Sequence, residues 1–244
     1  MKTEAVLFDL DNTLILFDEK QFFESYSKKL YMSFRDIMDP EEFMQRLMHS
    51  TQVMTDNDGK LNNAEFFMND FTRNLQSAKE DLWLRFEKFY DQEFVQFKSL
   101  MKPLKNTLQL MESLKERGLK IVIASNPMFP ENVQNYRLSW AGLTGFEFER
   151  ITHAKNSTYC KPNLNYYWEI CMAIQVIPEN CLMVGNDRLN DMIAGKVGMK
   201  TFLTLDGEKY TTEVSREFIR NTKFELPEPD FKGKLEDVLD VIRG

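Results

Sequence analysis

A short apolar run that ends in two acids constrains this chain more than any other stretch. Residues Val6 to Leu16 read Val-Leu-Phe-Asp-Leu-Asp-Asn-Thr-Leu-Ile-Leu, with Asp9 closing the run, Asp11 two positions later and Thr13 two beyond that. Buried apolar strands normally end in turn residues, not in a pair of carboxylates that repel each other. Two carboxylates at the C-terminal mouth of a strand suit a divalent cation plus a nucleophile, because hard cations prefer oxygen ligands. Alone, the Asp-x-Asp pair also fits an ordinary turn. It becomes specific through three later features in order: a strand ending in Ser125, an isolated Lys161, and a second acidic strand end at Asn186-Asp187.

The length of 244 residues allows one large domain or a domain with an insertion, and either can bury a sizeable core. A hydrophobic content of 43% with 28% charged residues is that of a globular protein, and no apolar run approaches the roughly 18 residues that span a bilayer. The three cysteines, Cys160, Cys171 and Cys181, are odd in number and lack Cys-x-x-Cys spacing, which points to free thiols and a cytoplasmic location. A net charge of −7 gives no broad basic face, so neither nucleic acid nor a membrane surface is expected as a partner. A small anionic substrate remains compatible, with a metal and one or two lysines acting locally.

Ala5 to Phe8 reads as a strand buried on both faces. The texture then changes from Asp18 to about Lys102, a stretch with one Pro (Pro40), one Gly (Gly59) and eleven of the twenty Phe. Its apolar residues recur at helical spacing: Phe22, Tyr26 and Leu30; Phe67, Phe71 and Leu75; Leu82, Phe86 and Phe89. This predicts a helical insertion of about four helices with its own core, broken in the middle by the turn-rich segment from Thr55 to Asn62. That segment matches part of a calcium loop at Asp56, Asp58, Gly59 and Glu65, but Met54 stands where the first ligand belongs, so a surface turn is the expectation.

Strand and helix alternate afterwards. Helices are expected from Pro103 to Arg117, Pro130 to Trp140, Leu164 to Gln175, Asn190 to Lys196 and Leu235 to Ile242. Strands are expected from Leu119 to Ala124, Phe146 to Thr152, Cys181 to Val184 and Lys200 to Leu205, with a polar loop from Asp206 to Lys232. Such alternation implies a parallel sheet with helices on both faces, whose ligands bind at the carboxyl ends of the strands. Asp9/Asp11, Ser125/Asn126 and Asn186/Asp187 all fall at such ends, and Lys161 sits in a loop on the same side.

In order and residue type these motifs resemble the haloacid dehalogenase superfamily, whose members are mostly magnesium-dependent phosphohydrolases. The resemblance covers residues 4–17 and about 100–243, and rests on Asp9-Leu-Asp11-Asn-Thr13, the strand ending at Ser125, Lys161-Pro162, and Gly185-Asn-Asp-Arg-Leu-Asn-Asp191. It implies an α/β fold: a doubly wound, Rossmann-like parallel core over residues 1–17 and 100–244, with an α-helical cap inserted over residues 18–99. By the same resemblance Asp9 is the nucleophile and Asp11 the general acid and base, while Ser125 and Lys161 bind and neutralise the phosphoryl group, with Thr13 and Asn126 beside it. The substrate is a small phosphorylated metabolite and the cofactor Mg²⁺, held by Asp9, Asp11 and either Asn186 or Asp187.

Each residue also has a plainer reading: Asp11 in an Asx turn, Ser125 as a helix N-cap, Lys161 as a solvated loop residue. The presence of Asp11 favours phosphoryl transfer over dehalogenation, because the dehalogenase branch has no alcohol leaving group to protonate. One departure stands out. Relatives mostly carry Asp directly after the glycine of the last motif, where this chain has Asn186, and a neutral amide is a poorer magnesium ligand than a carboxylate. A phosphomutase would keep the same motifs, and a non-catalytic binding protein would have lost Asp9, Asp11 or Lys161. His49 and His153 have no ligand partners at metal spacing and are expected in structural or surface roles.

Overall fold

The computed structural model describes residues 2–210 and 227–242. Six strands form one parallel sheet in the order β5-β4-β1-β6-β7-β8: β1 (Ala5–Phe8), β4 (Lys120–Ile123), β5 (Arg150–Ile151), β6 (Cys181–Gly185), β7 (Lys200–Thr204) and β8 (Phe231–Gly233). Renumbered within the sheet this is the 3-2-1-4-5-6 order of a doubly wound fold, with its switch point between β1 and β6. Register follows directly, Phe8 lying opposite Ile123 on one side and Val184 on the other. All four residues of β1 are fully buried. Val6 and Phe8 belong to one apolar cluster and Ala5 and Leu7 to a second, so alternate side chains feed the cores on opposite faces.

The chain leaves the sheet through a two-stranded joint, β2 (Ile15–Leu16) paired antiparallel with β3 (Lys102–Pro103). Between these strands lie four helices: α1 (Glu19–Tyr31), α2 (Pro40–Thr55), α3 (Asn63–Phe71) and α4 (Lys79–Gln92). Three of them start where a side chain accepts an otherwise orphaned N–H: Asp18 from Gln21, Asp39 from Glu41 and Glu42, and Asn62 from Glu65. Phe34 sits at the centre, with ring centroids 5.3 Å from Phe43, 5.6 Å from Phe71 and 4.8 Å from Phe86. The separate core expected for this insertion is not what forms. Phe94, in a 3-10 turn at Phe94–Leu100, stacks on Trp140 of the sheet-flanking helices at 5.7 Å, and Tyr26 meets Phe129 at 5.8 Å, so one apolar cluster runs from the insertion into the sheet.

The remaining helices are α5 (Thr107–Glu116), α6 (Glu131–Trp140), α7 (Leu164–Ile174) and the short α8 (Val238–Val241). Four expectations need correction. Helix α5 starts at Thr107 rather than Pro103, because Lys102 and Pro103 are used by β3 and Asn106 takes a left-handed conformation. The strand at 146–152 shrinks to Arg150–Ile151, and the helix at 190–196 is a 3-10 turn, Met192–Val197. Within the stretch expected as the polar loop 206–232, Phe231 begins an added edge strand, β8; residues 211–226 of it lie outside the described residues. The calcium-like turn gives the Asp58 carboxylate to Lys60, whose backbone N–H and ammonium both donate to it.

Candidate active site

Asp9 leaves β1 at the switch point, and its backbone N–H still donates to Val184 O of β6 at 2.9 Å. Each carboxylate oxygen has one donor: Lys161 Nζ on Oδ1 at 3.0 Å and Thr13 Oγ1 on Oδ2 at 3.1 Å. Lys161 is 2% exposed, so its charge depends on partners, and it donates a second bond of 2.6 Å to Asp191 Oδ1. Burial alone would lower its pKa, but Asp191 and Asp9 together hold it well above the usual lysine value. Asp191 is itself pushed upward by burial, against the pull of Lys161. The other Asp191 oxygen accepts the Asp187 N–H at 2.9 Å. This fit needs Gly185, because a Cβ there would stand 2.2 Å from Asp191 Oδ2.

Asn186 and Asp187 separate here. Thr13 Oγ1 also lies 3.1 Å from Asn186 Oδ1, so one hydroxyl proton faces two acceptors. A carboxylate oxygen and an amide oxygen that converge on one hydroxyl are both of the oxygen type that a hard cation takes as ligands. The Asp187 carboxylate turns back on its own turn: Oδ1 accepts the Leu189 and Asn190 N–H groups at 2.7 and 2.8 Å, and Oδ2 the Asn190 amide at 3.1 Å. Among the described residues no group of three or more His, Cys, Asp or Glu gathers as a metal site. The Asp9 carboxylate and the Asn186 amide oxygen suit a magnesium ion that keeps several waters.

Asp11 points elsewhere. Its Oδ1 accepts from the guanidinium of Arg137 on α6, a residue only 2% exposed. Arg137 then donates to Gln134 Oε1 at 2.7 Å, Gln134 donates to Thr152 O at 2.9 Å, and the Thr152 hydroxyl donates to Ser125 O at 2.6 Å. A buried chain of bonds thus joins Asp11 to the end of β4. Burial raises the Asp11 pKa, Arg137 opposes that, and Asp9 adds to it. The side chain keeps 36% of its surface, so the burial is that of the surrounding walls and not full enclosure. Glu19 also faces this mouth, through a 3.1 Å bond from Asn12 Nδ2. Burial, reinforced by the charge of Asp11, pushes its pKa up to about 7.

Of the residues singled out from sequence, Asp9, Thr13, Lys161 and Asn186 meet at one point. Ser125 is buried beside them, and the Asn126 side chain accepts the Lys161 N–H at 3.1 Å. Asp191 and Arg137 were missed. Asp191 stood in the quoted motif without a role, whereas Arg137 had no local signal, being one polar residue in the polar helix Glu-Asn-Val-Gln-Asn-Tyr-Arg-Leu-Ser-Trp. Asn63 at the start of α3 is a third. Its amide donates to Pro127 O and to Cys160 Sγ, both at 3.3 Å, tying the insertion to the site loops.

Comparisons with known proteins bear on the family and the fold. The glyceraldehyde 3-phosphate phosphatase of Methanothermobacter thermautotrophicus is 24% identical over 142 residues, 58% of this chain and 60% of that protein's length. The structure superimposes on a HAD phosphatase from Thermococcus onnurineus with a TM-score of 0.57 at 19% identity, covering 99% of each chain. A putative beta-phosphoglucomutase from Thermotoga maritima gives 0.54 at 16% identity, again over 99% of each. At these identities the structures testify to the fold. The family model of haloacid dehalogenase-like hydrolases matches residues 3–198, and the chain belongs to that family.

Proposed function

We propose that this hydrolase is a magnesium-dependent phosphohydrolase that cleaves phosphate monoesters of small molecules through an aspartyl-phosphate on Asp9. The observation that carries the reading is the fixing of the Asp9 carboxylate from two sides by Lys161 and Thr13, with a second carboxylate two residues on. A phosphatase among the relatives supports the same reaction class. Magnesium bound by Asp9 and Asn186, with Asp11 contributing through its main chain because Arg137 engages its carboxylate, would supply positive charge opposite the phosphoryl oxygens, and Asp187 stays a cap of its own turn.

In the first step an Asp9 oxygen attacks phosphorus, the ester P–O bond breaks, and the departing oxygen takes a proton from Asp11. In the second, Asp11 removes a proton from water as that water attacks phosphorus. The bond from phosphorus to Asp9 breaks, phosphate leaves, and Asp11 is again protonated. Burial keeps Asp11 basic enough to recover its proton, while Arg137 stabilises the carboxylate left after donation. Lys161, Ser125 and the Asn126 backbone N–H offset charge on the phosphoryl oxygens.

In this reading residues 18–99 form a cap over the core of residues 1–17 and 100–244 and exclude bulk water from the site. Backbone bonds from Asn63 N to Ser157 O and from Ala64 N to Ala154 O, 2.9 and 3.0 Å, support that seating. Three buried free thiols support a reducing, cytoplasmic setting, and no described helix is long and apolar enough to cross a membrane. The test is phosphate release from an aryl phosphate with Mg²⁺ or with EDTA, comparing the protein with Asp9→Asn. Metal-dependent turnover that falls at least about 10³-fold in the variant is expected. Equal turnover in both proteins would remove Asp9 as nucleophile.

A further inference from the structure

Between the helical insertion and the core lies a cavity of about 630 Å³ that the reaction above does not use. Its walls are mainly rings and thioethers from all four inserted helices, closed on the core side by Met128, Phe129 and the segment His153–Lys155. Pockets of this size hold drug-sized ligands. A three-carbon phosphate would leave most of it empty. We infer that this cavity holds the leaving group of the substrate, and that this group is a bulky, uncharged, apolar body: a medium-chain alkyl or a fused aromatic carried on a single phosphate. The inference rests on the phosphohydrolase reading for its chemistry and on the cavity alone for binding.

Position supports it from two directions. Glu19 is tied to Asn12 beside Asp11, and Phe22, Phe23 and Tyr26 follow three, four and seven residues later along one face of α1 as walls of the cavity. Seven helical residues advance about 10 Å. On the core side, Ser125 precedes Met128 and Phe129 by three and four residues, at most about 14 Å of chain. Phe129 is the partition. Its ring lines the cavity, and the Arg137 guanidinium that holds Asp11 lies 5.4 Å from its centroid. A substrate with its phosphate on Asp9 and its body in the cavity therefore spans a distance of the order of an octyl chain.

Charge supports it as well. Three carboxylates line the cavity, Glu87, Asp91 and Glu131, against one ammonium, Lys155, which is already paired with Glu87 at 3.2 Å and lies over the Trp83 ring at 5.1 Å. A second phosphate would meet like charge there. Other polar groups of the wall are committed, the Asn132 amide donating to Asp91 at 2.6 Å and the Thr51 hydroxyl to Leu47 O at 2.7 Å. His153 Nδ1 is buried without a partner among the described residues, and could serve one ligand polar atom but not the several hydroxyls of a sugar. A sugar body would leave hydroxyls unpaired against Phe, Met and Trp, which disfavours both a sugar phosphatase and a sugar-phosphate mutase.

The test pairs turnover with binding. Phosphate release is measured for ethyl, butyl, hexyl and octyl phosphate, and calorimetry follows the binding of ethyl- and octylphosphonate, for the protein and for Thr51→Trp, which fills the cavity from α2. A thermal melt confirms that the variant folds, with Met48→Trp as the replacement if it does not. We expect kcat/KM to rise at least about 100-fold from ethyl to octyl, because each buried methylene contributes to binding, and the rise to collapse in the variant. Hydrolysis of all four esters within about threefold of one another would overturn the inference while the phosphohydrolase reading stands. If no ester is cleaved, that reading fails and calorimetry decides: octylphosphonate binding at least tenfold tighter than ethylphosphonate, and weakened in the variant, supports the cavity assignment, and equal binding ends it.

Discussion

Two adjoining regions of this protein are built on opposite principles. At the end of β1 and β6, Asp9, Lys161, Asp191 and Asn186 are positioned by polar bonds that each have a named partner, in a space where any missing partner leaves a buried charge. In the helical insertion, Phe34, Phe43, Phe71 and Phe86 hold one another without a directional bond. The first arrangement tolerates almost no substitution but needs few residues. The second needs many residues, and any single one can be replaced by another apolar side chain of similar volume.

Breaking each region should therefore look different. Lys161→Met leaves Asp9 and Asp191 buried without their cation and is expected to cost about 3–5 kcal/mol of stability, together with activity. Without the ammonium the Asp191 pKa, already raised by burial and held down by Lys161, rises further in the folded state. The deficit is then largest at neutral and alkaline pH and shrinks as pH falls through the raised folded value toward the unfolded value near 4. Phe34→Ala should cost about 3–4 kcal/mol through the cavity it leaves. That deficit is flat with pH, since no titrating group changes environment. Denaturant melts in EDTA at pH 5 and pH 8 separate the two. A pH-flat deficit in Lys161→Met would mean that the ion pairs do not carry the stability of the site.

The same contrast explains what could be read from the chain. Asp9, Asp11, Ser125 and Lys161 each follow a strand end or a turn at fixed local spacing, so they are visible in short windows of sequence. The pairing of Asp191 with Lys161 crosses 30 residues, and that of Arg137 with Asp11 crosses 126, so both depend on how the sheet is wound and not on local pattern. The insertion announced itself as helical through its period, but not where its aromatic rings would meet the core. The same composition serves a closed separate core and a cluster continuous through Phe94 and Trp140. Strand β8 escaped because an edge strand of three residues, two of them exposed, carries no buried alternation to detect.

A smaller effect is expected where the polar chain leaves the Asp9–Lys161 cluster. Arg137→Met removes the partner of Asp11 and leaves Gln134 Oε1 without its donor, at a cost of about 1–3 kcal/mol in stability. If Arg137 positions Asp11 as an acid, the loss in kcat depends on the leaving group. An alkyl phosphate needs the proton and should slow about tenfold or more, while an activated aryl phosphate, whose phenolate departs without help, should slow far less. Arg137→Lys keeps the charge but not the fork, and should recover only part of the alkyl rate. An equal loss on both substrates would assign Arg137 to the scaffold alone.

The smallest expected effect tests the most unusual residue of the polar region. Asn186 presents a neutral oxygen to the same hydroxyl as Asp9, in a pocket that already holds Asp9, Asp11 and Asp191. A fourth nearby carboxylate would strengthen magnesium binding but would repel Asp9 when no metal is bound. Asn186→Asp should therefore lower the half-saturating magnesium concentration by about tenfold while lowering the melting temperature in EDTA, with the two changes opposite in sign. A magnesium dependence that does not move, with the melt unchanged, would place the ligand on Asp187 and require its carboxylate to release the Leu189 and Asn190 N–H groups. The turn after β6 would then be the part of the site that rearranges, and this polar corner would be less rigid than its bonds in this structure suggest.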